Sequence, residues 1–259
     1  MKKTYNKKGN KLLHFMRGAL LTIVILLVGV IVAGTYNYSP VFAGVGKNLI
    51  KAPQKPQEKV LIDAPILSQY PEYPTGCESI SAMMLLRYYG FEISADDFID
   101  EFLPLGDLPM GANTVYAEDP NEYFIGNPRN DRSYGCYAPV IQKALNGVFE
   151  GSDFSARAVK NTTLESVADE AIKNGKPALV WVSMNMKKTT VGQSWVLPDG
   201  ARFTWTAGEH CMLFVGYSET EYYFNDPMTG KLTAYRKELC EERFSELGGQ
   251  AVLVGNTQN

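Results

Sequence analysis

A single cysteine stands where a loop gives way to a helical pattern. The stretch Gln69-Tyr70-Pro71-Glu72-Tyr73-Pro74-Thr75-Gly76-Cys77 is rich in Pro and Gly, and Glu78-Ser79-Ile80 follows. Ile80, Met83, Met84 and Arg87 then recur at three- and four-residue spacing as far as Gly90, the mark of a helix with its terminator. Cys77 therefore opens the helix. Unpaired first-turn N–H groups and the positive end of the helix dipole favour a thiolate there. Gln69, just upstream, is placed to donate to an oxyanion. This is how a cysteine nucleophile is built.

A nucleophile needs a base, and the sequence offers few. The chain has 2 histidines. His14 lies in a basic N-terminal flank, which leaves His210 as the one imidazole of the domain that follows. It opens the apolar run His210-Cys211-Met212-Leu213-Phe214-Val215-Gly216-Tyr217. Asp226 closes the next run, Tyr222-Tyr223-Phe224-Asn225-Asp226, before Pro227 and Gly230. Antiparallel strands joined near Ser218 to Thr220 bring the start of one beside the end of the next. The Asp226 carboxylate can then orient the imidazole. Taken singly, a cysteine is a small buried hydrophobe, a histidine is structural and an Asp before Pro forms a turn. In the order Cys, His, Asp, and in these local contexts, they point to a triad.

Other chemistries find no handle. A His-based zinc site recruits more than one imidazole, and neither His-Glu-x-x-His nor Cys-x-x-Cys is present. No Gly-x-x-x-x-Gly-Lys-Ser/Thr loop exists for a nucleotide. The triad requires no cofactor and no metal. The net charge is −3, and residues 1–17 carry +6 of it with no acidic residue, which leaves −9 for the rest. Such a domain does not have the basic footprint of a nucleic-acid binder.

The elements that must position these residues follow in order. Residues 1–17 form the basic flank. Residues 18–38 hold an uncharged, largely apolar segment, Leu20 to Ala33 almost wholly so. It is long enough to span a bilayer, and the basic flank places the N-terminus in the cytoplasm. The expectation is a transmembrane anchor with the rest of the chain outside. The alternative is a signal cleaved near Ala43, in Val41-Phe42-Ala43. Residues 39–59 read as a linker broken by Pro53 and Pro56. The catalytic domain, residues 60–259, then gives helices first: one after Cys77, one over 94–102 capped by Ser94, one over 138–145, and one over 163–174. The last is headed by a capping box, of which Thr162 to Glu165 is the stronger version. Strands follow over 177–184, 195–197 and 202–205 around Pro198-Asp199-Gly200, then 210–217, 222–225, 231–235 and 250–254, with a helix over 236–247. Helices first and a mostly antiparallel sheet second is an α+β order. The irregular, aromatic-rich stretch 103–136 suggests a packed loop that walls a cleft. Of the 4 cysteines, three remain if Cys77 is free, so at most one disulfide forms among Cys136, Cys211 and Cys240.

Gln69 with Gly76-Cys77 before a helix, Gly208-x-His210 opening a strand, and Asn225-Asp226-Pro227 with Gly230 resemble the peptidase C39-like family, papain-fold relatives of the bacteriocin-processing peptidases. The resemblance runs from about Val60 to Val254. It implies a papain-like α+β fold, with Cys77 as nucleophile, His210 as general base, Asp226 as orienter and Gln69 as oxyanion-hole donor. One departure stands out. Glu78-Ser79 follows the nucleophile where bacteriocin-processing members typically have Gly-Pro, and their leader-peptide substrate is not carried over. The expected activity is hydrolysis of a peptide or amide bond by an exported bacterial cysteine peptidase. The rivals are a cell-wall peptide amidase of the same chemistry and a papain-like domain that only binds.

Overall fold

The computed structural model describes residues 59–257. The basic flank, the apolar segment 18–38 and most of the linker lie outside them. Among the described residues no helix is long and apolar enough to cross a membrane.

Seven strands form one sheet whose pairings are all antiparallel: β1 (Val60–Leu61), β2 (Phe154–Val159), β3 (Ala178–Ser183), β6 (Glu209–Tyr217), β7 (Glu221–Asp226), β8 (Lys231–Arg236) and β9 (Ala251–Asn256). Their spatial order is β8-β7-β6-β3-β9-β2, with β1 on β6 beyond the end of β3. A separate hairpin joins β4 (Thr190–Val196) to β5 (Arg202–Ala207). The helices are α1 (Cys77–Tyr88), α2 (Ala138–Val148), α3 (Leu164–Glu170) and α4 (Lys237–Glu246).

The apolar runs of β3 and β6 have no polar alternation because both faces of the sheet are covered. Leu179, Trp181, Cys211, Leu213 and Val215 pack with the Met83, Met84, Leu85 and Leu86 side of α1 and with Val140 and Ile141 of α2. Val180, Val182, Met212 and Phe214 pack on the other face against Leu164, Val167 and Ala168 of α3 and Cys240 and Phe244 of α4. All ten residues from Cys77 to Leu86 are buried, so α1 is a central helix rather than a surface one with a single apolar stripe.

Several elements differ from expectation. The helix over 94–102 is one α-turn, Ala95–Asp97, capped by the Ser94 side chain, followed by a π-turn over Phe98–Phe102. The α3 cap is Thr163, whose Oγ1 accepts from Ser166 N–H at 3.1 Å. The Thr162–Glu165 box does not form, because Leu164 and Glu165 N–H instead donate to the Glu241 carboxylate of α4. Strand β2, absent from the sequence reading, lies at the sheet edge and mixes Ser155 and Arg157 with small residues, which blurs its period. The stretch 103–136 is ordered, with a short parallel pairing of Leu105–Gly106 and Phe124–Ile125. All four cysteines are free thiols and buried.

One contact anchors the helix layer to the sheet near its centre. The Trp181 indole N–H donates to the Cys136 carbonyl at 2.8 Å, both residues being fully buried. Trp181→Phe leaves that carbonyl without its partner. The variant should lose about 1–3 kcal/mol in urea unfolding, and an unchanged midpoint would show that the indole bond contributes nothing.

Candidate active site

The site is assembled at one end of the sheet, where α1 begins, β6 begins and β7 ends. Gly76 precedes Cys77 because the turn is tight. A Cβ at Gly76 would stand 2.8 Å from the Tyr73 Cβ. Cys77, Gln69, Glu209 and His210 line a cavity of about 340 Å³.

His210 and Asp226 meet as the strand order requires. His210 Nε2 lies 2.8 Å from Asp226 Oδ1, and both side chains are buried. Burial works against the Asp226 charge, but hydrogen bonds from His210, from Met228 N–H at 2.9 Å and from Thr229 Oγ1 at 3.1 Å hold the carboxyl below its ordinary range. An ionised Asp226 makes Nε2 the donor, which leaves Nδ1 as the second ring nitrogen, free to act as a base.

Gln69 is 4% exposed, and its Nε2 donates to Pro74 O at 2.8 Å. That bond uses one amide hydrogen and leaves the other. Its backbone N–H donates to Pro227 O at 2.9 Å, which ties the Gln69 loop to the turn that carries Asp226. Gln69, Cys77 and His210 line the cavity, and Asp226 lies behind His210.

The thiol itself is not where a thiolate–imidazolium pair would put it. Cys77 Sγ donates to Glu78 Oε2 at 3.2 Å. Among the described residues no hydrogen bond joins Cys77 to His210. Burial pushes the Cys77 thiol well up, and the neighbouring Glu78, Glu209 and Cys211 add to the effect. The expectation of a thiolate favoured by the helix terminus is thereby corrected. Desolvation and two neighbouring carboxyls outweigh the dipole, whose effect is modest and confined to the first turn.

Strand alternation explains the arrangement. Glu209 and Cys211 share a face of β6, the one under α1, whereas His210 falls on the other face with Asp226. The two sets meet at the strand end. Glu78 Oε1 accepts from Cys136 N–H at 2.7 Å. Sγ of Cys77 and a carboxylate oxygen each from Glu78 and Glu209 lie within 4.8 Å of one another. Gly135 makes room for them. Its φ is +116°, and a Cβ there would stand 2.3 Å from Glu78 Oε1. The three atoms mix a soft thiol with hard oxygens, and Glu78 is already engaged by Cys77 Sγ–H and Cys136 N–H. Cys77 and Glu78 are hydrogen-bonded to each other, and Glu209 stands beside them with Oε1 unpartnered among the described residues.

The cavity wall comes from aromatic residues on the hairpin and the preceding loop. Tyr134 and Trp205 line it, with Gln193. Tyr134 OH donates to Gln193 Oε1. Tyr137 stacks on Trp205 with ring centroids 5.3 Å apart. The sequence reading missed Glu78 and Glu209 as members of the site. The signal was available in both cases, as a lone charge beside the nucleophile on an apolar helix and a lone charge opening an apolar strand.

Comparison with known proteins places this architecture. The family model described as "Peptidase_C39 like family" matches residues 61–252. The uncharacterized protein YvpB of Bacillus subtilis (strain 168) is 26% identical over 217 residues, which span 82% of this chain and 80% of that protein. A crystal structure of a provisionally assigned C39-like peptidase from Bacillus anthracis superposes with a TM-score of 0.68 at 23% identity, covering 78% of this chain and 100% of the other. At that identity the likeness is one of fold.

The buried carboxyls have a consequence for stability. Burial pushes Glu78 up to about 7, against hydrogen bonds from Cys136, its own N–H and Cys77 that act the other way. An unfolded glutamate ionises near ~4.3. Between these values the folded state binds more protons, so stability that is full below the unfolded pKa is lost as pH rises through about 7. Glu78→Gln has no such loss. The difference in unfolding free energy between variant and wild type should move in the variant's favour by about 3 kcal/mol from pH 4 to pH 8. Parallel pH profiles would show that Glu78 titrates alike in both states.

Proposed function

This chain belongs to the Peptidase_C39 like family, and we propose that it is a papain-like cysteine peptidase acting through Cys77, His210 and Asp226. The observation that carries the reading is the buried His210–Asp226 hydrogen bond of 2.8 Å beside a cavity that Cys77 and Gln69 also line. A peptide carbonyl entering the cavity is attacked by Cys77 Sγ as the thiol proton passes to His210 Nδ1. The Gln69 side-chain N–H and the Cys77 backbone N–H, one of the first-turn amides that lack an intrahelical acceptor, stabilise the oxyanion. His210 returns the proton to the leaving amine. Water then attacks the thioester, gives its proton to His210, and the acid product leaves with Cys77 restored. Asp226 keeps the imidazole in one tautomer and orientation throughout.

The substrate class is a peptide. Linear peptides and cell-wall peptides are both open to this chemistry, and digestion of a peptide library alongside purified cell wall separates them. The segment 18–38 gives the location: an anchor that holds the domain at the outer membrane face. The chain should fractionate with membranes and keep its N-terminal lysines, and a mature N-terminus at Gly44 would overturn the anchor.

Cys77→Ala and His210→Ala should each abolish turnover, because the described domain has no second imidazole. Asp226→Asn should retain more activity than Asp226→Ala, since an amide oxygen still accepts from Nε2–H. Retained turnover in His210→Ala would remove His210 from the mechanism.

A further inference from the structure

The proposed triad leaves one part of the site without a task. Glu78 and Glu209 are 0% and 8% exposed, and burying two carboxyls side by side is costly unless they do something. Glu78 receives the Cys77 thiol at 3.2 Å and the Cys136 N–H at 2.7 Å. Cys136 is in turn fixed through its carbonyl by Trp181. Glu209 Oε1 is buried and has no partner among the described residues. The carboxyl of Glu78 is thus held from its far side and aimed at sulfur, and that of Glu209 faces the same spot.

Taking the triad as the premise, we propose that Glu78 is a positioning residue for the nucleophile, a latch that holds Cys77 as a thiol turned away from His210, with Glu209 as its proton-carrying neighbour. Two carboxylates this close in a dry site do not both ionise. Burial raises both carboxyls above their ordinary range. Glu78 accepts from Cys136 N–H and Cys77 Sγ–H whereas Glu209 Oε1 accepts from no group among the described residues, so the charge of the pair sits on Glu78, next to the sulfur, and the shared proton on Glu209. A negative charge there opposes a thiolate and accepts the S–H bond. When the pair takes up a second proton, or when a substrate carbonyl draws sulfur toward the cavity, the latch opens and Cys77 is free to meet His210.

The groups that face this cluster come from every element around it. They are Cys77 from α1, Cys136 and Tyr137 from the segment before α2, and His210 and Cys211 from β6, with Asp226 of β7 already paired to His210. Burial pushes the Cys136, Cys211 and Tyr137 groups up, so they stay neutral through the pH range in which Glu78 titrates. None of these three supplies a competing charge.

The test is the alkylation rate of Cys77 by iodoacetamide in the full-length chain, read by peptide mapping from pH 5 to pH 10. In wild type the midpoint should lie above the free-thiol value of about 8.5. A midpoint below it overturns the latch without any variant. Glu78→Gln removes the charge and places an amide that can donate to sulfur. Its midpoint should fall by about one unit or more, a rate gain of roughly 10-fold at a fixed pH below the midpoint. Glu209→Gln replaces a neutral acid by a neutral amide and should move the midpoint far less. Mere loosening of the site would act alike in both variants, so equal shifts, or no shift in Glu78→Gln, would overturn the proposal. His210→Ala is read in the Glu78→Gln background, where the latch is open: coincident curves there remove the triad, whereas the shift between wild type and Glu78→Gln decides the latch.

Discussion

The contact on which most of the site depends is the hydrogen bond from the Cys136 amide to the buried Glu78 carboxylate. It joins the first turn of the central helix to the segment that leads into α2. The carbonyl of the same residue is held by Trp181 of the sheet. Helix, sheet and loop are thereby locked together beside Cys77, and only a glycine at position 135 leaves space for the Glu78 carboxylate. An ordinary core would fill this place with apolar atoms. Here a charged side chain fills it, and the neighbouring thiol inherits the electrostatic result.

The opposite half of the site is simpler. His210 and Asp226 are one strand start and one strand end, brought together by a connection of three residues between β6 and β7. The pairing of Leu213 with Asn225 and Phe214 with Phe224 sets the register that aligns them. The Gln69 loop is bound to the same turn through Pro227 O. Asp226 and Gln69 therefore share one support, and Cys77 stands on another.

Much of this was legible in the sequence. The order of helices and strands, the start of α1 at Cys77 and the meeting of His210 with Asp226 follow from periodicity, turn residues and the shortness of one connection. What the sequence could not convey was a balance between long-range terms. A helix terminus favours a thiolate, but the desolvation at Cys77 and the approach of Glu209 depend on how α1 packs on β6, which no local pattern encodes. Thr162 and Glu165 formed a good local cap on paper. Glu241, distant in sequence, took the amides instead. Strand β2 was hidden because an edge strand with Ser155 and Arg157 has no clean alternation to read.

The hairpin of β4 and β5 carries a mechanical implication. Strand β5 ends at Ala207, Gly208 follows with φ +89°, and β6 opens at Glu209. The aromatic wall and the imidazole are consecutive stretches of a single backbone, separated by one pliable residue. A ligand that pushes Trp205 outward applies leverage to the strand that bears His210. Under the proposed mechanism, recognition and proton transfer are in this sense wired in series, so reshaping the hairpin for a new ligand also retunes His210.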